Sequence, residues 1–255
     1  MAQREGMPDR DARPWAPESC SYDQLFDVIR NRRMVYDYAG PDDEVTEADV
    51  EAVLDAARWA PSGHNSQPWE FVVIRDRARL DDLADLLRKQ RDWVRSVDED
   101  FPSHGRVYLD QVPVAIVVLG DWRARNWYPE TPKWHPGEWD LVTDIYHESI
   151  GCCMQNIHLA AKALGLGTVH VSVHRKHEDE IKALLDVPDH MTVHNVVPLG
   201  VPDGEAGQNM WREPLEEKLH RETYDASKGV SDEAFKAELD DPAARTRRMH
   251  GEPKE

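Results

Sequence analysis

The sequence predicts an α+β domain, on three observations. Four short runs rich in apolar and β-branched residues read as buried strands, stretches with helical spacing lie between them, and the two kinds interleave without a regular βα repeat or any internal repeat. A chain of 255 residues suffices for one large domain or two small ones, and folding at that size buries roughly 75% of the extended-chain surface. No low-complexity linker divides it.

Taken in order, residues 1–20 are rich in charge, Pro and small residues and read as an N-terminal tail. Leu25, Phe26, Val28 and Ile29 make one apolar stripe, so residues 21–33 read as a helix with a basic end. Thr46 followed by Asp49 resembles a capping box, and Val50, Val53, Leu54 and Ala57 then recur at helical spacing. Pro61 and Gly63 break the chain into a loop. Trp69–Ile74 and Val112–Leu119 read as buried strands, with a charged helix over residues 77–91 between them. Residues 143–165 are the longest helical candidate. Apolar and small residues lie nearly all round it, which suits the middle of a core or an interface and allows close approach by a neighbouring helix. Gly165 and Gly167 stop it. A strand over Thr168–Val173, a helix over 177–186 and a strand over Thr192–Leu199 follow, and residues 225–255 read as a charged C-terminal tail.

Charge narrows the function. Lys and Arg total 31 against 49 Asp and Glu, a formal net charge of -18, which argues against nucleic-acid or anionic-membrane partners because both need a basic footprint. Any anionic ligand must be held by a local cluster of cations. Cys20, Cys152 and Cys153 show neither a disulfide framework nor zinc spacing. With no apolar leader and no run long enough to span a bilayer, the expectation is a reduced, cytoplasmic protein.

Four places can carry chemistry. Arg32 and Arg33 at a helix end either complement the helix dipole or clamp a phosphate bidentately. Ala60–Trp69 packs Ser62, Asn65 and Gln67 between two prolines and a glycine; such a turn either bonds its own backbone or presents donors and acceptors to the edge of a heterocycle. Arg212 precedes an acidic helix start and in isolation reads as a surface arginine. The stretch Trp122–Trp139 is interrupted by Pro129, Pro132 and Pro136 and holds four of the nine tryptophans; it reads as a lid or binding loop, or else as an Ω-loop packed on its own rings. His170, His174 and His177 are spaced almost like metal ligands but need not converge, so no metal is expected. Cys153 has no basic partner in sequence, and no GxGxxG or P-loop pattern occurs.

In register along residues 22–224, these segments resemble the FMN-dependent nitroreductase family. The resemblance rests on Ile29-Arg30-Asn31-Arg32-Arg33-Met34, on Ala60-Pro61-Ser62-Gly63-His64-Asn65-Ser66-Gln67-Pro68-Trp69-Glu70-Phe71, on Gln155-Asn156 with Ala160–Gly167, on Pro198–Pro202 and on Arg212–Glu217. It implies a single domain over 21–224 with a mostly antiparallel central sheet flanked by helices. It also implies an intertwined homodimer with tightly bound FMN at the interface, each flavin touched by both chains. By that resemblance Arg32, Arg33 and Arg212 hold the phosphate, with Met34 at the phosphate or ribityl site and Tyr36 near flavin N1 and O2. Pro61, Ser62, Gly63 and Asn65 approach the flavin or ribityl chain from the other subunit, Ser172 and Val173 offer backbone groups near N5 and O4, and Gln67, Val171 and Gly200 are further cofactor-binding positions.

The reaction the resemblance implies is ping-pong: NADH or NADPH passes a hydride to flavin N5, and a small electron-poor acceptor such as a nitroaromatic or quinone is then reduced. The cofactor carries that chemistry, so no catalytic acid or base is assigned. By position, Trp127, Tyr128, Trp134 and Trp139 become the substrate contacts. Two alternatives stay open, a specialised member performing reductive dehalogenation, flavin breakdown or heterocycle oxidation, and a non-catalytic acidic binding protein. Two residues depart from the family pattern. Met34 stands where a serine is usual, and Tyr36 where an Arg or Lys usually lies near flavin N1 and O2, so less positive charge faces the reduced ring.

Overall fold

The computed structural model describes residues 20–97, 108–127, 140–204 and 212–241. The chain forms two compact units, residues 1–206 and 207–255. In the first, Trp69–Ile74 (β1), Val114–Asp121 (β2), Gly167–Thr168 (β3), Val171–Ser172 (β4) and Met191–Gly200 (β5) build one sheet in the order β1-β2-β5-β3, with β4 also on β5. Among the described residues every ladder is antiparallel, and an isolated parallel bridge joins Met34 to Thr168.

Alternation along β2 sorts the core. Ala115, Val117 and Leu119, with Val193 and Val196 of β5, pack under Arg77–Val97 (α3) and Arg175–Leu185 (α5) through Leu80, Leu83, Ala84, Leu87 and Ile181. Val114, Ile116 and Val118, with Val197 and Leu199, meet Glu47–Arg58 (α2) and Asp140–Ala163 (α4) through Val50, Val53, Ala57, Ile150, Cys153, Ile157 and Ala161. With helices on both faces, β2 shows the near-continuous apolar run of a doubly covered strand.

Local signals start the helices where the sequence places them. Ser21 and Gln24 form a capping box for Tyr22–Asn31 (α1), as Thr46 and Asp49 do for α2, each satisfying two otherwise orphaned amides. The ends depart further. The helix read as 77–91 continues to Val97, because Gln90 and Trp93 find partners on the segment entering α5. The strand read as Thr168–Val173 is two two-residue strands on one edge of β5, opposite Gly200–Leu199 and Val196–Asn195. In the second unit, the stretch read as a tail from 225 onward contains Asp232–Asp240 (α7), capped by Ser231, beyond the short helix Leu215–Lys218 (α6).

Candidate functional site

Arg32 ends α1 with an extended backbone, so the chain leaves the helix along the sheet edge. The Val35 N–H donates to the Thr168 carbonyl at 3.0 Å. Gly167 permits this approach, since a Cβ there would lie 2.7 Å from Val35 Cγ2. Arg33 Nη1 donates to the carbonyls of Arg30 and Arg32, at 2.6 and 2.8 Å, in the helix-capping role. Tyr36 packs its ring on Tyr108, with centroids 5.7 Å apart.

Beneath Arg32 lies a pair that sequence reasoning missed. Buried His158 shares hydrogen bonds with Thr168 Oγ1 through Nδ1, at 2.7 Å, and with His170 Nδ1 through Nε2, at 3.2 Å. Burial, then His170 and Arg32, push His158 down to about 3; burial and then Arg32 lower His170 as well. Both imidazoles are therefore neutral near pH 7, and the positive charge facing an anion here is that of Arg32. His174 and His177 instead flank the Trp93 ring.

Farther along this edge, Val171 opposes Val196 and Ser172 opposes Asn195, and the Val173 N–H donates to the His194 carbonyl at 3.3 Å. By antiparallel alternation, residues 171 and 173 turn their backbone groups toward β5, and Ser172 turns its N–H and C=O to the open edge. Gly200 has a packing role: a Cβ would sit 3.0 Å from Tyr38 Cδ1 and from Val112 Cγ1.

The loop before β1 is anchored elsewhere. His64, Asn65 and Gln67 adopt φ of 52°, 53° and 46°, a left-handed conformation uncommon without glycine and a mark of a segment held by its surroundings. The holding groups are visible. Ser62 Oγ accepts from the Gln67 N–H at 3.0 Å, and the Gly63 N–H donates to Ser149 Oγ at 3.2 Å, whose hydroxyl donates in turn to the Ile145 carbonyl at 2.6 Å. The loop thus bonds its own backbone, as one reading allowed, while exposed Pro61, Asn65 and Gln67 are presented outward. Ser149 and His158 both lie on α4, nine residues apart, or about 13 Å along the axis. The loop and the Arg32 edge are therefore held at different levels of one helix.

Arg212 is exposed at the start of the second unit. Trp127 closes a 3-10 helix, Trp122–Trp127; Tyr128, Trp134 and Trp139 lie outside the described residues. Within that turn Trp122 meets the Tyr146 ring edge-on at 5.0 Å, and the Arg125 guanidinium lies 4.1 Å from the Trp122 centroid. Tyr146 Oη and His194 Nε2 share a hydrogen bond at 2.8 Å, with burial lowering His194 to about 4. A β-bulge between Val118 and Leu119 shifts register and brings His194 and Asn195 both toward α4, where Asn195 Nδ2 meets Met154 Sδ at 3.0 Å. A small cleft between this group and the loop is lined by Ser66, Ala124, Arg125, Ile145, Tyr146 and Ser149. Buried Cys153, its thiol pushed up to about 12 by burial and then by Cys152, is no nucleophile. Among the described residues no three His, Cys, Asp or Glu converge to hold a metal.

The class follows from comparison of this α+β chain with known proteins. The Nitroreductase family model matches residues 29–201, and the chain belongs to that family. A "Putative NADH dehydrogenase/NAD(P)H nitroreductase" of Methanothermobacter thermautotrophicus is 30% identical over 202 residues, 78% of this chain and 87% of that protein. The FMN reductase [NAD(P)H] of Bacillus subtilis is 22% identical over 79% of this chain and 74% of its own length. Among solved structures, a BluB-like flavoprotein from Clostridium difficile 630 superposes with a TM-score of 0.63 at 25% identity, covering 77% of this chain and 97% of that one.

Proposed function

We propose that this nitroreductase-family chain, an FMN-dependent NAD(P)H oxidoreductase, works as a homodimer that reduces a small electron-poor compound such as a nitroaromatic or a quinone. The observation that carries the reading is the β3–β4 edge. There a guanidinium, an outward-facing backbone at Ser172 and the neutral His158–His170 pair lie along one sheet margin. That donor set fits FMN: a cation for the phosphate, and backbone groups for the polar edge of the ring. When bound, FMN supplies hydride transfer at N5.

The residues then divide the work. Arg32 pairs with phosphate oxygens against the field of a chain of net charge -18, with Met34 beside it and Tyr36 toward the pyrimidine edge of the ring; by its own motif Arg212 is a further phosphate cation. Val171, Ser172 and Val173 orient the ring through main-chain atoms, with Gly200 behind them. Arg33 adds positive charge to the same helix end. Pro61, Ser62, Gly63, Asn65 and Gln67 serve a second copy's flavin, in keeping with a loop anchored on α4 at Ser149, a different level of that helix from His158 beneath Arg32. The apolar stripe of α1 supports pairing: Leu25 and Ile29 are 49% and 44% exposed, and Leu141 on α4 is 58% exposed. The segment holding Trp127, Tyr128, Trp134 and Trp139 covers the substrate. Three free cysteines suit a reduced, cytoplasmic setting, and no described helix is long and apolar enough to cross a membrane.

The test is the visible spectrum of the purified protein with added FMN, followed by anaerobic reduction with NADH and with NADPH. A yellow protein bleached by a nicotinamide and reoxidised by a nitroaromatic or quinone, with parallel double-reciprocal plots, supports the reading. A folded protein that stays colourless with FMN overturns it.

A further inference from the structure

The open edge of β4 is met by a side chain from α3. Gln90 Nε2 donates to the Ser172 carbonyl at 2.7 Å, and Gln90 Oε1 accepts from the His174 N–H at 2.7 Å. A carbonyl at one position and an amide two residues on are the groups an extended chain turns toward its next neighbour. A primary carboxamide carries one donor edge and one acceptor, so it fills the place of a further strand. At β3 the same position is taken by backbone, through the Met34–Thr168 bridge and the Val35 N–H. At β4 a glutamine side chain takes it.

The clamp has a second jaw. The Trp93 ring lies 4.5 Å from that of His174, and Lys176 Nζ sits 4.6 Å from the Trp93 centroid. His174 Nδ1 accepts from the Lys176 N–H at 3.1 Å and so starts α5. The chain from Ser172 to Lys176 is thereby pinned to α3 at both ends.

We infer that Gln90 is a positioning residue for the flavin: by taking the Ser172 carbonyl and the His174 amide it fixes the segment Val171–Val173 and leaves the Ser172 N–H as the outward-facing donor beside them. The inference rests on the proposed flavin reading, and it adds a residue on another helix that no motif of the chain contains. An acceptor atom such as an unprotonated ring nitrogen is matched by an N–H and repelled by an unmasked C=O, so masking the carbonyl sets which group the edge offers.

The experiment compares wild type with Gln90→Met, which removes both bonds, and Gln90→Glu, which keeps the shape but only accepts. Lys89→Ala is the control, since Lys89 pairs with Glu180 at 2.6 Å, joining α3 to α5 next to Gln90 in the chain. Amide exchange at Ser172–His174 is followed in flavin-free protein; FMN affinity, the visible band and the midpoint potential are measured in the loaded dimer. In Gln90→Met the His174 amide exchanges at least about tenfold faster, FMN binds about tenfold more weakly, the change worth one neutral hydrogen bond, and band and potential shift. Gln90→Glu changes them in the same sense, and Lys89→Ala changes none. Faster exchange with unchanged affinity, band and potential leaves Gln90 merely structural and overturns the inference, as does unchanged exchange. Failure of wild type itself to take up FMN overturns the functional reading, while the exchange data still report the clamp.

Discussion

Replacing His158 with glutamine removes a group that folding keeps uncharged, and stability becomes less sensitive to acid. The imidazole ordinarily titrates near 6.5 and is held at about 3 by burial first, then by His170 and Arg32. Below pH 6.5 the unfolded chain binds a proton at this position that the folded chain refuses. The stability that the neutral form confers is therefore complete above 6.5 and declines as the pH falls toward 3. Each pH unit within that window costs about 1.4 kcal/mol per such group, so a drop from 6.5 to 5 costs about 2 kcal/mol from His158. His194, lowered to about 4, adds about 2 kcal/mol over the same interval. The assay is urea unfolding at fixed protein concentration at pH 6.5, 6.0, 5.5 and 5.0, with the slope against pH as the readout. His158→Gln shifts the whole curve by whatever it costs in packing, but its loss between pH 6.5 and 5 is about 2 kcal/mol smaller than that of wild type. Equal slopes would mean that His158 is already charged in the folded protein, and the burial argument would fail.

Three further outcomes follow from the site. A Cβ at Gly120 would overlap Tyr146 Oη and lie 2.7 Å from His194 Nε2, so Gly120→Ala separates that hydrogen-bonded pair and lowers stability in urea by about 1–3 kcal/mol; a neutral substitution would show that the two rings move aside freely. Tyr36→Arg places a cation where the family usually has one, and the flavin midpoint potential rises in a spectroelectrochemical titration; an unmoved potential removes Tyr36 from the pyrimidine edge. Arg212→Ala loses a charge-assisted contact of about 1.5–3 kcal/mol and weakens FMN about ten- to a hundredfold, and an unchanged flavin-quench titration removes Arg212 from the phosphate site.

Much of this was legible because the signals are local. The Thr46–Asp49 capping box appears in the structure as read, and so do the strand Trp69–Ile74 and a loop at Ala60–Trp69 that bonds its own backbone, since each depends mainly on residues within one turn or one strand. Met34, from the first motif, joins the sheet margin through its bridge to Thr168. Hidden from the sequence were partners far apart in the chain: Ser149 under the loop, His158 against Thr168 and His170, Tyr146 against His194, and Gln90 across the β4 edge. Ser149 and Gln90 sit in stretches read only as helix, because nothing near them in sequence tells which backbone they meet.

Composition, caps and hydrophobic period thus determined on their own an acidic α+β chain, its main helices and its long strands, as these follow from charge and from the geometry of consecutive residues. The run of α3 past residue 91, the splitting of the strand after Gly167 and the second-unit helix Asp232–Asp240 came only from tertiary structure. So did the neutrality of His158. Continuation of a helix past residue 91 is decided by what Gln90 and Trp93 touch, and a histidine's proton affinity by how much water is taken away; neither is a property of the residue's neighbours in the chain.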